Sequence, residues 1–449
     1  MLPAVLLSAL AASTAQTIVI AALPAFAAGL AVDGTAATWT LTAFMLAGAA
    51  ATPVFGRLGD LYGYRRALVV CLGFFAVGTV LCVVGVLIGQ FATLVAGRVV
   101  AGVSGGVFPL AFGLVRHGVP EARRSGVIAL LSAMFGIGGA TGMVVAGPVL
   151  DAFGPVWLFW PLLALGLVAL VLVARLPADN RARASGGVDP AGALLLAAVL
   201  GCLLLAISQF RTWPGVVVAA LFACSVVLLC VFVVVEGRVR VPLLELRLLR
   251  DPTLAATNLV AFVITPALFG MVTLLPSFLQ AERGQSATGA SLALVPMAVC
   301  MLLGTPLTPR LRARFGAAAP LRIGALCTVG SCVALIVAHG ALWEIYLVSA
   351  CVGIGYGFVF AGIGNLVADA VTAGRIGAAT GVNTVARTVG GAVGAQVAAA
   401  IVVRPADHVL AFGVFACVAA AAFVLTLARP STFRPRPRSP LATRPGRAE

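Results

Sequence analysis

Few residues in this chain can do chemistry, and the pattern they make is one of binding and proton exchange rather than bond breaking. Arg98 stands in Leu94-Val95-Ala96-Gly97-Arg98-Val99-Val100-Ala101-Gly102 and Arg387 in Asn383-Thr384-Val385-Ala386-Arg387-Thr388-Val389, each the one charge in a long apolar run. A guanidinium facing lipid costs several kcal/mol, so each should face a protein interior or a water-filled path. The competing reading for Arg98 is snorkelling to an interface, because Gln90 lies only about eight residues away. Gln16, Thr40, Asn258, Asn365 and Asn383 are uncharged hydrogen-bonding groups in similar runs. Carboxylates are scarce: Asp33, Asp151, Glu236, Glu282, Glu344 and Asp369 all fall near segment ends, none deep inside one. Asp33, at the outer end of the first two segments, is the candidate proton carrier, with Arg98 as the cation that favours its charged form. The three histidines (His117, His339, His408) form no cluster, and the ten cysteines lie in apolar runs without a Cys-x-x-Cys metal pair. No metal, no cofactor and no enzymatic activity are expected, and the lack of a nucleotide-binding motif excludes direct use of ATP.

The elements that must position these groups are membrane-spanning helices. Hydrophobic residues make up 61% of 449 and charged ones 10%, proportions a soluble fold cannot bury. A span needs about 20 apolar residues, and fourteen segments qualify: 2–32, 35–56, 67–89, 91–115, 125–150, 153–174, 190–210, 214–235, 253–281, 288–309, 321–339, 342–368, 376–403 and 409–428. The first contains Ala25-Phe26-Ala27, a possible signal-peptidase site, but no basic residue precedes its apolar run, so it is expected to be a retained helix.

The two ends of the chain repeat each other. Thr52-Pro53-Val54-Phe55-Gly56-Arg57-Leu58-Gly59-Asp60-Leu61-Tyr62-Gly63 returns as Thr305-Pro306-Leu307-Thr308-Pro309-Arg310-Leu311-Arg312-Ala313-Arg314-Phe315-Gly316. Arg123, Gly138, Gly139 and Gly142 return as Arg375, Gly390, Gly391 and Gly394. Two similar membrane-embedded halves are the layout of an alternating-access carrier. Segments 1–6 form one half, 9–14 the other, and 7–8 an inserted pair. The expected divisions are 1–175, a cytoplasmic linker 176–189, the inserted pair 190–236, a cytoplasmic loop 237–252, the second bundle 253–428 and a disordered basic tail 429–449.

All 29 basic residues other than histidine are arginine, giving a net charge of +15. With both termini cytoplasmic, 24 of the 29 fall in cytoplasmic loops or the tail, Arg211, Arg283 and Arg404 fall outside, and Arg98 and Arg387 lie within helices. That asymmetry orients the chain and removes the temptation to read the charge as a nucleic-acid footprint. The Pro- and Arg-rich tail can rest on anionic headgroups.

Three stretches carry a family resemblance. Gly56-Arg57-Leu58-Gly59-Asp60-Leu61-Tyr62-Gly63-Tyr64-Arg65-Arg66 resembles the loop signature of the major facilitator superfamily, in which glycines permit a tight turn and an acid sits at a helix terminus. Gly136, Gly138, Gly139, Gly142 and Gly147-Pro148 resemble the antiporter signature of its exporters, although Gly-Pro is followed by Val149-Leu150-Asp151 and lacks the final glycine pair. Gly377 to Gly391 resembles a stretch of the fourteen-helix drug:proton antiporters, and the inserted pair and Pro242 to Arg250 fit that family too. The resemblance implies an all-α polytopic membrane protein with the major facilitator fold, two six-helix bundles plus an inserted pair. It also implies that Gly56, Asp60, Gly63, Arg65 and Arg66 latch the cytoplasmic ends, and that Gly138, Gly142, Gly147 and Pro148 form the antiporter-type helix. Segments 1, 2, 4, 5, 9, 10, 12 and 13 would line the cavity, and Arg98 matches the family's buried arginine. One departure stands out: where the family's first helix carries an Asp and an Asn, this chain has Ala15 and Ile20.

The expected function is proton-driven efflux of a hydrophobic or amphipathic small molecule across a bacterial inner membrane. Gln16, Asp33, Thr40, Arg98, Asn258, Asn365, Asn383 and Arg387 are the candidate binding or coupling residues. Two arginines and no acid suit neutral or anionic cargo. A metabolite importer and a transport-inactive sensor or scaffold are the alternatives. The expected partners are the bilayer, the small molecule and protons, with no nucleic acid, and the chain should act as a monomer.

Overall fold

The computed structural model describes all residues except 178–188, 240–241, 338–339, 372–375, 403, 405–406 and 429–449. Arg181, Arg183, Arg240, His339, Arg375, most of the linker and the whole basic tail therefore lie outside the described residues. The rest forms fourteen long helices: α1 (Leu2–Gly29), α2 (Gly34–Tyr62), α3 (Tyr64–Leu87), α4 (Phe91–Arg116), α5 (Glu121–Phe153), α6 (Pro155–Ala174), α7 (Pro190–Ser208), α8 (Gly215–Arg238), α9 (Pro252–Arg283), α10 (Ala287–Phe315), α11 (Ala319–Val337), α12 (Leu342–Ala370), α13 (Ile376–Ile401) and α14 (Asp407–Ala428). Thirteen are long and apolar enough to cross a membrane. The exception, α13, carries Asn383, Arg387 and Gln396, and packs extensively along α9. Its polarity is tolerable because protein, not lipid, surrounds it.

The halves repeat in three dimensions. The pairings α1–α5, α1–α6, α2–α4, α3–α4 and α3–α6 recur as α9–α13, α9–α14, α10–α12, α11–α12 and α11–α14. The duplicated glycines explain one of these. A Cβ on Gly138 or Gly142 would strike Ser13 Oγ or Thr17 Oγ1 of α1, and one on Gly390 or Gly394 would strike Phe262 O or Pro266 O of α9. In both halves small residues let a helix backbone approach closely. The turns match as well, since Gly63 (φ 96°) and Gly316 (φ 93°) both adopt positive φ, which a side chain disfavours. Arg65 donates to Val173 O and Ala174 O at the end of α6, and Arg322 donates to Thr426 O at the end of α14. Cations at helix C-termini complement the dipole.

Helix ends differ from the hydropathy boundaries. Segment 2 was expected to stop at 56, but α2 runs to Tyr62, and α10 likewise runs to Phe315. The signature is thus a helical terminus with a one-glycine turn, not a loop. Hydropathy falls where charge begins, whereas backbone hydrogen bonds continue into water.

The inserted α7 packs on α8 and also reaches α2 and α13, one helix from each half. Val216, Val226 and Val227 of α8 project outward, as expected of a helix solvated by lipid.

Candidate functional site

Helix α4 brings Arg98 inward, and the helix backbones around it satisfy it. It is 1% exposed, and its Nε donates to Thr40 O (2.5 Å) on α2 and its Nη2 to Ala15 O (2.9 Å) on α1. Its guanidinium carbon lies 4.2 Å from the Phe44 ring centroid. Snorkelling is excluded. Position 15, where the family pattern has an acid, instead supplies a carbonyl to this arginine. Thr40 contributes its carbonyl, while its hydroxyl is spent on Ala37 O.

Arg387 sits in different surroundings. Its guanidinium carbon lies 4.4 Å from the centroid of Phe360 on α12 and 5.7 Å from that of Phe135 on α5, so rings from both halves cover it. Such cation–π contacts contribute about 0.5–2 kcal/mol each. Its Nε has no hydrogen-bond partner, and among the described residues it makes no ion pair. The rings continue as a ladder: Phe108–Phe135 (5.2 Å), Phe135–Phe360 (6.4 Å), Phe360–Tyr356 (4.6 Å, stacked) and Tyr356–Phe269 (6.0 Å). Phe108, Phe135, Phe360 and Arg387 are only half-buried. This aromatic ladder, with one under-bonded cation, is a candidate surface for a planar or anionic molecule. Sequence reasoning missed the aromatics, because they are scattered over α4, α5, α9 and α12 with no spacing to link them.

The other expected residues divide. Asn383 donates to Asn258 Oδ1 (3.2 Å), a buried amide pair tying α13 to α9, and Asn258 also donates to Leu254 O. Asn365 donates to Ala361 O of its own helix. Gln16 is half-buried on α1. Asp33 is exposed and caps α2 by accepting from Ala36 N (2.6 Å). The structure does not bring it to Arg98, since no ion pair joins them among the described residues. The expected coupling between these two is therefore corrected: the cap fixes Asp33 at the helix end, and backbone carbonyls occupy Arg98.

At the end of the bundle opposite Met1, the halves are hydrogen-bonded together. Gln396 of α13, fully buried, accepts from Thr42 Oγ1 (3.2 Å) and donates to Thr35 O (3.2 Å), and Thr35 Oγ1 donates to Ala399 O (3.3 Å). Gln280 donates to Ala21 O (3.2 Å), and Asp151 accepts from Thr288 N (2.7 Å). Gly147 brings α5 against Ala287 and Ser291 of α10, so the last glycine of the antiporter-like helix serves the seal between halves, while Gly138 and Gly142 serve packing within one half. Pro148 lies inside α5, which continues to Phe153. At the Met1 end Asp60 is exposed and accepts from Tyr64 Oη across the Gly63 turn. Gly59 leaves room for the Tyr64 ring, and Gly56 lies in ordinary contact with Pro109. Arg66 is exposed beside Arg65.

Two pseudo-symmetric helical halves around an aromatic and cationic interface define a membrane carrier fold. The chain belongs to the Major Facilitator Superfamily, whose family model matches residues 5–395, a class of membrane transporters rather than enzymes. Among relatives, it is 31% identical over 320 residues to an uncharacterized MFS-type transporter of Mycobacterium tuberculosis, covering 70% of this chain and 46% of that protein. It is 26% identical to Multidrug resistance protein 3 of Bacillus subtilis (60% and 52% covered). It is 28% identical over 393 residues to the Tetracenomycin C resistance and export protein of Streptomyces glaucescens (85% and 72%). The chain thus spans about half the length of the first curated relatives it matches. Its fold is similar to that of the human organic anion transporter MFSD10 (TM-score 0.65, 18% identity, 94% and 98% covered). It is equally similar to the xylose transporter XylE of E. coli in a partially occluded inward-open conformation (0.66, 12%, 95% and 96%).

Proposed function

We propose that the protein is a secondary exporter of the fourteen-helix drug:proton antiporter family. In this reading it moves neutral or anionic, hydrophobic or amphipathic aromatic molecules out of a bacterial cell by alternating access, using the proton gradient. The observation that carries this reading is Arg387 held against Phe360 and Phe135, one ring from each half. A planar anion inserted there gains the cation and stacking faces together, and rocking of the halves opens and closes the ladder. Among the described residues no carboxylate joins that contact set, which disfavours cationic cargo. The named multidrug resistance and export relatives support the direction. Arg-rich alternate loops support cytoplasmic termini, so the hydrogen-bonded end faces outward and the ladder communicates with the cytoplasm. The domain divisions 1–175, 176–189, 190–236, 237–252, 253–428 and 429–449 belong to the same proposal, as does function as a monomer.

The test uses cells lacking their own efflux pumps, with and without this protein, loaded with aromatic anions, neutral dyes and cationic dyes. Expected is energy-dependent extrusion of anionic and neutral compounds, abolished by a protonophore. Accumulation would assign the importer reading, and no flux of any compound the sensor or scaffold reading. Reporter fusions after Ser185 and at the C-terminus should both report cytoplasm.

A further inference from the structure

At the foot of the inserted pair two carboxyl groups meet in the protein interior. Asp189 caps α7, with its Oδ1 accepting from Gly192 N (2.9 Å). Glu236 lies in the last turn of α8, with its Oε2 accepting from Leu244 N (3.1 Å). Glu236 is 3% exposed and Asp189 9%. Each has thus used one oxygen on a backbone N–H. The remaining two, Asp189 Oδ2 and Glu236 Oε1, have no hydrogen-bond partner. They converge on one point, since a Cβ on Gly192 would strike both. A glycine there leaves the space in which they meet.

Two ionised carboxylates cannot share such a place cheaply, because burial and mutual repulsion both oppose the second charge. Among the described residues neither makes an ion pair. On the surrounding elements Arg238, Glu245, Arg247 and Arg250 are exposed. On the helices packed against α7, α2 carries Arg57, Asp60 and Tyr62 in its last two turns, with Asp60 accepting from Tyr64 and Tyr62 exposed, and Arg387 of α13 is held by Phe360 and Phe135. A resident metal does not fit either. Calcium takes six to eight oxygens, and no group of three or more metal-binding side chains exists among the described residues. One proton fits, because it turns one carboxyl into a donor and satisfies both orphan oxygens in a single O–H···O bond.

We propose that Asp189 and Glu236 form a one-proton binding site, loaded from the Met1 end, that fastens the inserted pair. Its position gives the proton leverage. Above it, Leu196 and Leu200 of α7, with Phe232 and Leu244, pack in one apolar cluster with Ala49 of α2 and Val382 and Val385 of α13. Loss of the proton leaves two charges opposed under the helix that touches both halves. The site itself does not depend on which cargo the carrier moves or in which direction.

The test is infrared difference spectroscopy on purified full-length protein in nanodiscs, titrated from about pH 9 to about pH 5, with thermal unfolding measured in parallel. Wild type should gain the carbonyl band of a buried protonated carboxyl as pH falls, and its melting temperature should rise over the same interval. Asp189→Asn and Glu236→Gln each retain the oxygen that accepts the backbone N–H, and their amide N–H₂ replaces the shared proton. Both should fold, lose the band and lose the pH dependence of melting, while Asp33→Asn keeps both. A wild-type protein without the band, or a band that survives both substitutions, overturns the proposal. So does a band abolished by added Mn²⁺ with a rise in melting temperature, which would make the place a cation site.

Discussion

Arg98 is fully buried on α4 and Arg387 half-buried on α13, and the two surroundings show what makes an interior charge structural or available. Around Arg98, the carbonyls of Thr40 and Ala15 take up Nε and Nη2, and the Phe44 ring covers the face. Helices α1, α2 and α4 are stapled by one side chain that is itself fully buried. Around Arg387, the partners are π faces and Nε is left without an acceptor. Rings stabilise the cation without quenching its capacity to donate, so an anion can compete for it. The first site holds one half together, whereas the second spans both.

The largest effect should come from Arg98. Arg98→Ala leaves two buried carbonyls without their charged donor and a void besides, a loss of about 3 kcal/mol or more. Thermal unfolding in detergent should show a sharply lowered midpoint, with Arg98→Lys intermediate because one ammonium cannot reproduce the fork. If Arg98→Ala melts like wild type while losing transport, the contrast between the two arginines fails.

Arg387→Gln should lower the melting temperature less than Arg98→Ala does and weaken binding of an aromatic anion about tenfold, about 1.4 kcal/mol. Neutral cargo should lose less. Isothermal titration with one anionic and one neutral compound reads this directly. Equal losses would mean that the cation is not what recognises cargo.

The repeat itself can be broken symmetrically. Gly142→Ala collides with Thr17 Oγ1 and Thr14 O, and Gly394→Ala with Pro266 O and Cα. Each should cost about 1–3 kcal/mol by overpacking, visible as comparable drops in melting temperature. A cost confined to one half would show that the duplicated glycines no longer do the same job.

The smallest effect on stability is expected at the exposed Gly63 turn. Asp60→Asn should move unfolding by no more than about 0.5 kcal/mol, yet slow transport, because the matching family signature implies a latch used in another state of the cycle. Undiminished transport at equal protein level would reduce Asp60 to a turn residue.

Fourteen helices, thirteen of them apolar enough to span, and the repeat were determined by the sequence alone, and an inward Arg98 was favoured over snorkelling, because lipid imposes length, apolarity and a heavy cost on charge at every position independently. The repeat marked glycines for close helix contact, and the structure decided that Gly138 and Gly142 receive α1 and Gly390 and Gly394 receive α9, while Gly139 makes only an ordinary contact. Tertiary structure alone decided the rest. Phe108, Phe135, Phe269, Tyr356 and Phe360 are ordinary apolar residues until five turns of four helices bring their rings into register. Gln396 reads as an isolated polar residue until Thr35 and Thr42 of the other half reach it. Glu236, placed near a helix end by sequence, resembles a solvated terminus, but Leu244 folds back over it and Asp189 meets it from the neighbouring helix. Nearness to an end is a one-dimensional property, whereas burial depends on which chain segment returns to cover that end.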